Sequence, residues 1–292
     1  MNNQLPLAGI RLLNEKEAAQ VDFGPLTQLQ GTWKGQPMQG WNVIAVPGPK
    51  DFILEVIPYE ETLTFSPAAI AGNRGPFTNG QENTQNVTGF LYQQIITSAC
   101  DSDLCKQRGF PSGTEIHAET GLFLYLENDN EGFNIARLST IPHGNSVLAL
   151  GNGAASTTLQ GFIPDNTVTP HPNPMFGYDE EQYPSLQFPQ FNQQNPNSFL
   201  QDVLKGETLT ALTTLDFSTQ NATGGILNIP FIQSNINATF LNATFWIETL
   251  ADNSLQLQYT QTINLAFPPT DFPKVMVNWP HVTVNTLQKV SS

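Results

Sequence analysis

Positive charge is scarce in this sequence: 11 lysines and arginines stand against 25 aspartates and glutamates, for a formal net charge of −14. A surface of that sign repels a phosphate backbone and no basic cluster offsets it, so nucleic acid is not an expected partner. Long hydrophobic runs are missing too, and none approaches the length of a membrane-spanning helix. Met1-Asn2-Asn3-Gln4 lacks the basic region and apolar block of a secretory signal, which makes the cytoplasm the expected compartment. Cysteine is limited to Cys100 and Cys105, with no histidine beside them, whereas a structural zinc site wants four ligands. Two readings stay open for the pair: a small loop disulfide, which implies an oxidising compartment, or two reduced loop thiols. The signatures of common chemistries are absent as well. There is no phosphate-binding glycine loop, no nucleophile elbow and no paired-histidine zinc motif, and Gly151-Asn152-Gly153 reads as a turn. Hydrolase and transferase activity find no support.

In place of charge the chain carries Asn, Gln, Thr and Ser, which suit turns and the outer faces of strands. Its 292 residues can bury a sizeable core. Glu15 to Val21 fits a short helix ended by Phe23-Gly24-Pro25. Short strands are expected at Trp41–Val46 and Phe52–Ile57, split by Pro47-Gly48-Pro49, and at Tyr59–Phe65, where Tyr59, Glu61, Leu63 and Phe65 share a face. Residues 66–86, rich in Gly, Pro and Asn, read as a long loop. Val87–Thr97 is the next strand, followed by the cysteine loop. Thr114–Leu126 is the clearest of the first half, with Ile116, Ala118, Leu122, Leu124 and Leu126 on one face and His117, Glu119, Phe123 and Tyr125 on the other. Phe133–Leu138 and Ser146–Leu150 pair around Ile141-Pro142-His143-Gly144-Asn145, and Thr157–Ile163 reads as a further strand.

Residues 164–206 change character, being loaded with Pro, Asn, Gln and aromatics. Their low charge predicts an ordered excursion packed on the domain rather than a domain boundary. Thr208–Phe217 returns to strand, Asn237–Leu250 and Ser254–Phe267 form a hairpin around Ala251-Asp252-Asn253, and Lys274–Lys289 closes the chain. The sum predicts an all-β fold: one antiparallel barrel domain over 1–292, of about ten strands with long loop insertions, enclosing a cavity for one small-molecule ligand.

Histidine is rare enough to be examined singly. His281, in Asn278-Trp279-Pro280-His281-Val282-Thr283, follows the alternation of Val275, Val277 and Trp279. A neutral imidazole is the usual protein ligand of haem iron, and the same residue also reads as a half-buried strand histidine. His117 shares a strand face with Glu119 and aromatics. His143 reads as a turn histidine or, more sharply, as a residue reaching a bound ligand. His171 lies among prolines and reads as surface. Trp33 reads as an apolar plug at the closed end of the barrel.

Four separated pieces, in one order, resemble the nitrobindins, small haem-binding β-barrels of calycin type related to the fatty-acid-binding proteins and lipocalins. They are Gly24-Pro25-Leu26 with Gly31-Thr32-Trp33-Lys34-Gly35, then Tyr59-Glu60-Glu61-Thr62-Leu63-Thr64-Phe65, then Ile116-His117-Ala118-Glu119-Thr120-Gly121-Leu122-Phe123, and last Pro280-His281 with Leu287-Gln288-Lys289. The resemblance implies haem b as cofactor, ferric and able to bind nitric oxide, with peroxynitrite isomerase-like activity. It further implies His281 as the proximal ligand to the metal and His117 as a lining residue. His143 has no counterpart in the pattern and is the rival for a place near the iron. The chain is longer than the family, with additional segments at 66–86, 98–113 and 164–206. Two other readings follow from the same barrel: a carrier of a fatty acid or similar apolar molecule without haem, and a filled barrel acting as an interaction module.

Overall fold

The computed structural model describes residues 12–47, 52–127, 132–166, 188–268 and 273–291. In chain order it contains α1 (Glu15–Ala18), a 3₁₀ turn (Gly24–Leu29), β1 (Gly31–Pro47), β2 (Phe52–Thr78), β3 (Gln81–Ser98), α2 (Asp103–Gln107), β4 (Glu115–Glu127), β5 (Ile135–Ile141) and β6 (Asn145–Ala155). Then follow α3 (Asn197–Val203), β7 (Leu209–Ser218), β8 (Gly225–Asn228), α4 (Pro230–Asn235), β9 (Asn237–Leu250), β10 (Leu255–Phe267) and β11 (Val277–Ser291). Ten strands pair antiparallel in the order β5-β4-β3-β2-β1-β11-β10-β9-β7-β6, and β5–β6 closes the ring. Ten strands therefore make a barrel with no free edge, which removes the template for edge pairing. β8 lies on the β6 edge beyond the point where β7 leaves it.

The two ends of this barrel differ. At the closed end Phe23, Leu26 and Leu29 pack beneath Trp33, whose Nε1 donates to Leu29 O at 2.7 Å. The Lys289 ammonium lies 5.1 Å from the Trp33 ring centre and donates to Gln28 O. Inward-facing aromatics fill this half: Phe123 meets Tyr92, Phe217, Phe65 and Phe245 at centroid separations of 5.0 to 5.4 Å. Edge-to-face contacts of this kind add about 0.5–1.5 kcal/mol per pair to the burial itself.

Trp33 and Trp41 are both odd-numbered on β1 yet face opposite ways. The register with β2 slips between Gly35 and Gly40, and that irregularity swaps the alternation. Trp41 therefore lies on the outer face, stacked on Phe191 with centroids 4.5 Å apart and edge-on to Phe188 and Phe199. The described part of the excursion, residues 188–206 with α3, thus covers the outside of the barrel wall and not its lumen. His171 lies outside the described residues.

Three sequence expectations need correction. Residues 66–86 are not a loop: β2 and β3 run on as a hairpin at the closed end, turning at Asn79-Gly80, both with positive φ (52° and 80°). That is the two-residue turn whose twist matches the flanking strands, and Asn-Gly is its preferred dipeptide. Trp41–Val46 is the second half of β1, and Phe52–Ile57 with Tyr59–Phe65 belongs to β2 alone, because Pro58 sits within the ladder opposite Trp41. Thr157–Ile163 forms no strand; it leaves β6 as bends, and Ile163 packs under the outer cover. Cys100 and Cys105 form a disulfide around α2. Of the two readings open for this pair, the disulfide is the one present. No helix among the described residues is long and apolar enough to cross a membrane.

Candidate functional site

At the open end the lumen is a cavity of about 710 Å³, lined by residues of every described strand but β7, the cysteine loop and α4. The apolar part of its walls is built mainly from branched aliphatics, among them Ile44, Ile57, Ile96, Ile116, Ile141, Ile263 and Leu265. Alternation carries the polar residues of the same strands to the same side. On β11, His281, Thr283, Asn285 and Leu287 point inward in sequence from mouth to closed end.

His117, His143 and His281 all line this cavity. β4 supplies His117, the β5–β6 turn supplies His143, and their ring centres are 6.5 Å apart. His281 Nε2 is 2.6 Å from Asn42 Oδ1 on the neighbouring β1. Burial in the apolar wall, and then the charges available to His117 and His143, push its pKa down to about 4. The imidazole is accordingly neutral at physiological pH. Among the described residues no three His, Cys, Asp or Glu side chains converge as a metal-binding group, so the three histidines are not a metal triad.

Behind the lining residues His117, Gln94 and Tyr259 lie two buried carboxylates with opposite electrostatics. Glu119 Oε2 is 3.3 Å from His117 Nε2, and its Oε1 accepts from Arg137 Nη2 at 2.7 Å and from the Tyr92 hydroxyl. Burial is the largest influence and raises this carboxyl, but the Arg137 guanidinium together with His117 and the Tyr92 hydroxyl outweighs it and holds Glu119 well below the usual range. Arg137 is itself buried, donating to Gln261 Oε1 at 2.6 Å and to Ser139. Glu61 forms no ion pair with a lysine or arginine among the described residues. It accepts from the Tyr259 hydroxyl, Asn285 Nδ2 and Gln94 Nε2, each at 2.7 Å. Burial dominates there and raises its pKa despite those bonds. Tyr59 completes this group, its hydroxyl 2.9 Å from that of Tyr259.

Gly35 and Gly40 explain themselves beside Glu61. A Cβ at Gly35 would meet the Asn285 amide, and one at Gly40 would meet the Tyr59 ring. Both glycines keep space for the polar group around Glu61.

The site thus contains the three histidines expected of it, and Glu119 beside His117. It also contains Asn42, Glu61, Tyr92, Arg137 and Gln261, which sequence reading did not assign to it. Glu61 carried a signal, as an acid on a face with Tyr59, Leu63 and Phe65. Arg137 carried another, as a cation inside the apolar strand Phe133–Leu138.

No family model and no curated protein matches this chain. Among solved structures it is similar to the crystal structure of Rv2717c from M. tuberculosis, with a TM-score of 0.43 and 15% identity, over 92% of this chain and 99% of that one.

Proposed function

We propose that the barrel binds haem b in the mouth cavity with His281 as axial ligand, and that it handles nitric oxide or peroxynitrite there. His281 carries this reading: it is a neutral imidazole on an apolar wall with its ring already anchored by Asn42. A haem-ligating histidine needs a free lone pair and an outer partner that fixes the ring. With Nε2–H directed at Asn42 Oδ1, Nδ1 is the nitrogen that keeps the lone pair. A pKa of about 4 means that protons do not compete for that lone pair near neutrality. The isoleucine walls offer packing for a flat apolar ring, and the volume falls within the ~300–1,000 Å³ of small-molecule sites. Bound ferric haem would supply an iron position for nitric oxide and for isomerisation of peroxynitrite to nitrate. His117, held by Glu119, and His143 are the ring nitrogens available to a polar group bound in the same cavity.

A second reading has an observation of its own. Among the described residues no lysine or arginine lines the cavity, so carboxylate side chains of a porphyrin find no cation in the walls. An apolar cargo without haem suits those walls equally well. Titrating hemin into the wild type and His281→Ala separates the two. Haem ligation predicts a sharp saturable Soret band at one equivalent, with affinity weakened more than about a hundredfold in the variant. An identical band and affinity in His281→Ala refutes the assignment. A broad unsaturable band in the wild type favours the apolar carrier.

A further inference from the structure

Exposed large apolar side chains on this protein are not scattered evenly. Leu227 and Phe231 are 77% and 70% exposed, and Ile229 and Ile236 beside them are also exposed. They belong to β8, α4 and the residue leading into β9. This segment folds over the barrel mouth and is tied to the His143 turn by Ile229 N donating to Gly144 O at 2.9 Å. Val275 and Met276, also exposed, stand on the same rim where the β10–β11 connection returns. The other side of the flap faces inward: Ile226, Ile232, Asn235 and Ile236 line the cavity. One short segment therefore presents apolar surface both to the lumen and to solvent.

We propose that this mouth docks on an uncharged lipid surface, with α4 and its flanks resting at the bilayer interface. Charge decides the kind of surface. From Phe217 to Ile247 there is no Asp, Glu, Lys, Arg or His, while the chain as a whole carries −14. An anionic bilayer repels such a molecule, and the rim has no basic residue in that stretch to offset the repulsion. A neutral bilayer imposes no such penalty, and the stretch 217–247 brings no charge that must be desolvated. Lys274, exposed beside Val275 on the same rim, has a stem long enough to keep its ammonium among the headgroups. The flap backbone is also prepared for a drier setting. Gln233 N and Ile236 N bond to Ile229 O and Ile232 O, and Asn235 Nδ2 caps Phe231 O at 2.7 Å. A docking protein would ordinarily be selected by polar or charged contacts around an apolar centre, and this stretch offers amide and hydroxyl groups alone. Docking there sets the cavity opening against the lipid, so an apolar ligand passes between them without crossing water. The inference does not depend on the ligand being haem.

The test is flotation of the full-length protein with vesicles of pure phosphatidylcholine and with vesicles containing phosphatidylglycerol, for the wild type and a Leu227→Ser/Phe231→Ser variant. Both side chains are exposed, so the variant should keep the wild-type melting temperature, which is measured alongside. The wild type should float with neutral vesicles and less with anionic ones, and the variant's partitioning should fall at least about tenfold. No flotation with neutral vesicles, or stronger flotation with anionic ones, overturns the proposal. So does a concentration-dependent dimer by size exclusion that the variant abolishes, because a second copy would then be the natural occupant.

Discussion

Glu248 is the group whose ionisation should show most plainly in the stability of the protein. It sits fully buried on the outer face of β9, where Gln256 Nε2 donates to Oε2 at 2.7 Å and Oε1 has no partner among the described residues. On the same face of β10 the Gln258 amide donates to Leu200 O of α3, while its own Oε1 is likewise unpaired. Burial pushes the Glu248 pKa up to about 8 from an ordinary 4.5, with the Gln256 bond opposing only in part. The folded chain therefore holds a proton that the unfolded chain releases between those values. Stability contributed by the neutral carboxyl is complete below about pH 4.5 and is lost as pH rises through about 8. At about 1.4 kcal/mol per pH unit, the full loss approaches about 5 kcal/mol, a large part of an ordinary domain's stability.

Glu248→Gln tests this. The amide matches the neutral carboxyl in shape and brings an N–H donor to a face with an unpaired Gln258 oxygen. Urea unfolding of both proteins from about pH 5 to about pH 8 should give similar stabilities at the acid end. The variant should become about 3–4 kcal/mol the more stable at the alkaline end. Because every other titrating group is shared, the difference between the two proteins isolates this carboxyl. A difference that stays constant across the range would mean that Glu248 ionises alike in folded and unfolded chains, and the reasoning would fail.

Two further perturbations address the cavity. Asn42→Leu removes the partner of His281 Nε2 and should weaken hemin binding about 10–100-fold while leaving the melting temperature within a few degrees; unchanged affinity would show that Asn42 does not orient the ring. Arg137→Met strips Glu119 of its cation in a buried setting and should cost about 3–5 kcal/mol in urea unfolding, with much of that recovered on adding Glu119→Gln; no recovery would place the cost in packing and not in the stranded charge.

Much of this architecture was legible because local pattern and tertiary role agree. β4 alternates cleanly, so His117, Glu119 and Phe123 could be assigned to one face before any partner strand was known. The β9–β10 hairpin announces itself at Ala251-Asp252-Asn253, where Asn253 adopts φ 67°. Legibility failed where a strand had no dry side to generate a pattern. Residues 70–86 extend past the closed end with both faces largely wet, so composition suggested a loop and only the Asn79-Gly80 dipeptide held the contrary signal. It failed again on β1, where counting by twos from Trp33 puts Trp41 inside, because the register slip before Gly40 leaves no clear trace in composition.

The site divides along the same line. Each histidine could be noticed alone because the residue is rare, but their convergence is a product of barrel closure. The strand carrying His117 meets the turn carrying His143 through β5, while His281 arrives from the opposite end of the chain through β11. The buried carboxylates lie further from sequence reach. Arg137 meets Glu119 across 18 residues, the Tyr92 hydroxyl reaches that carboxylate across 27, and Gln261 joins from 124 residues away. Taken singly, a buried arginine or glutamate in these strands looks like an error of pattern. Their mutual neutralisation, visible only once the strands are assembled, makes each tolerable and holds His117 in place.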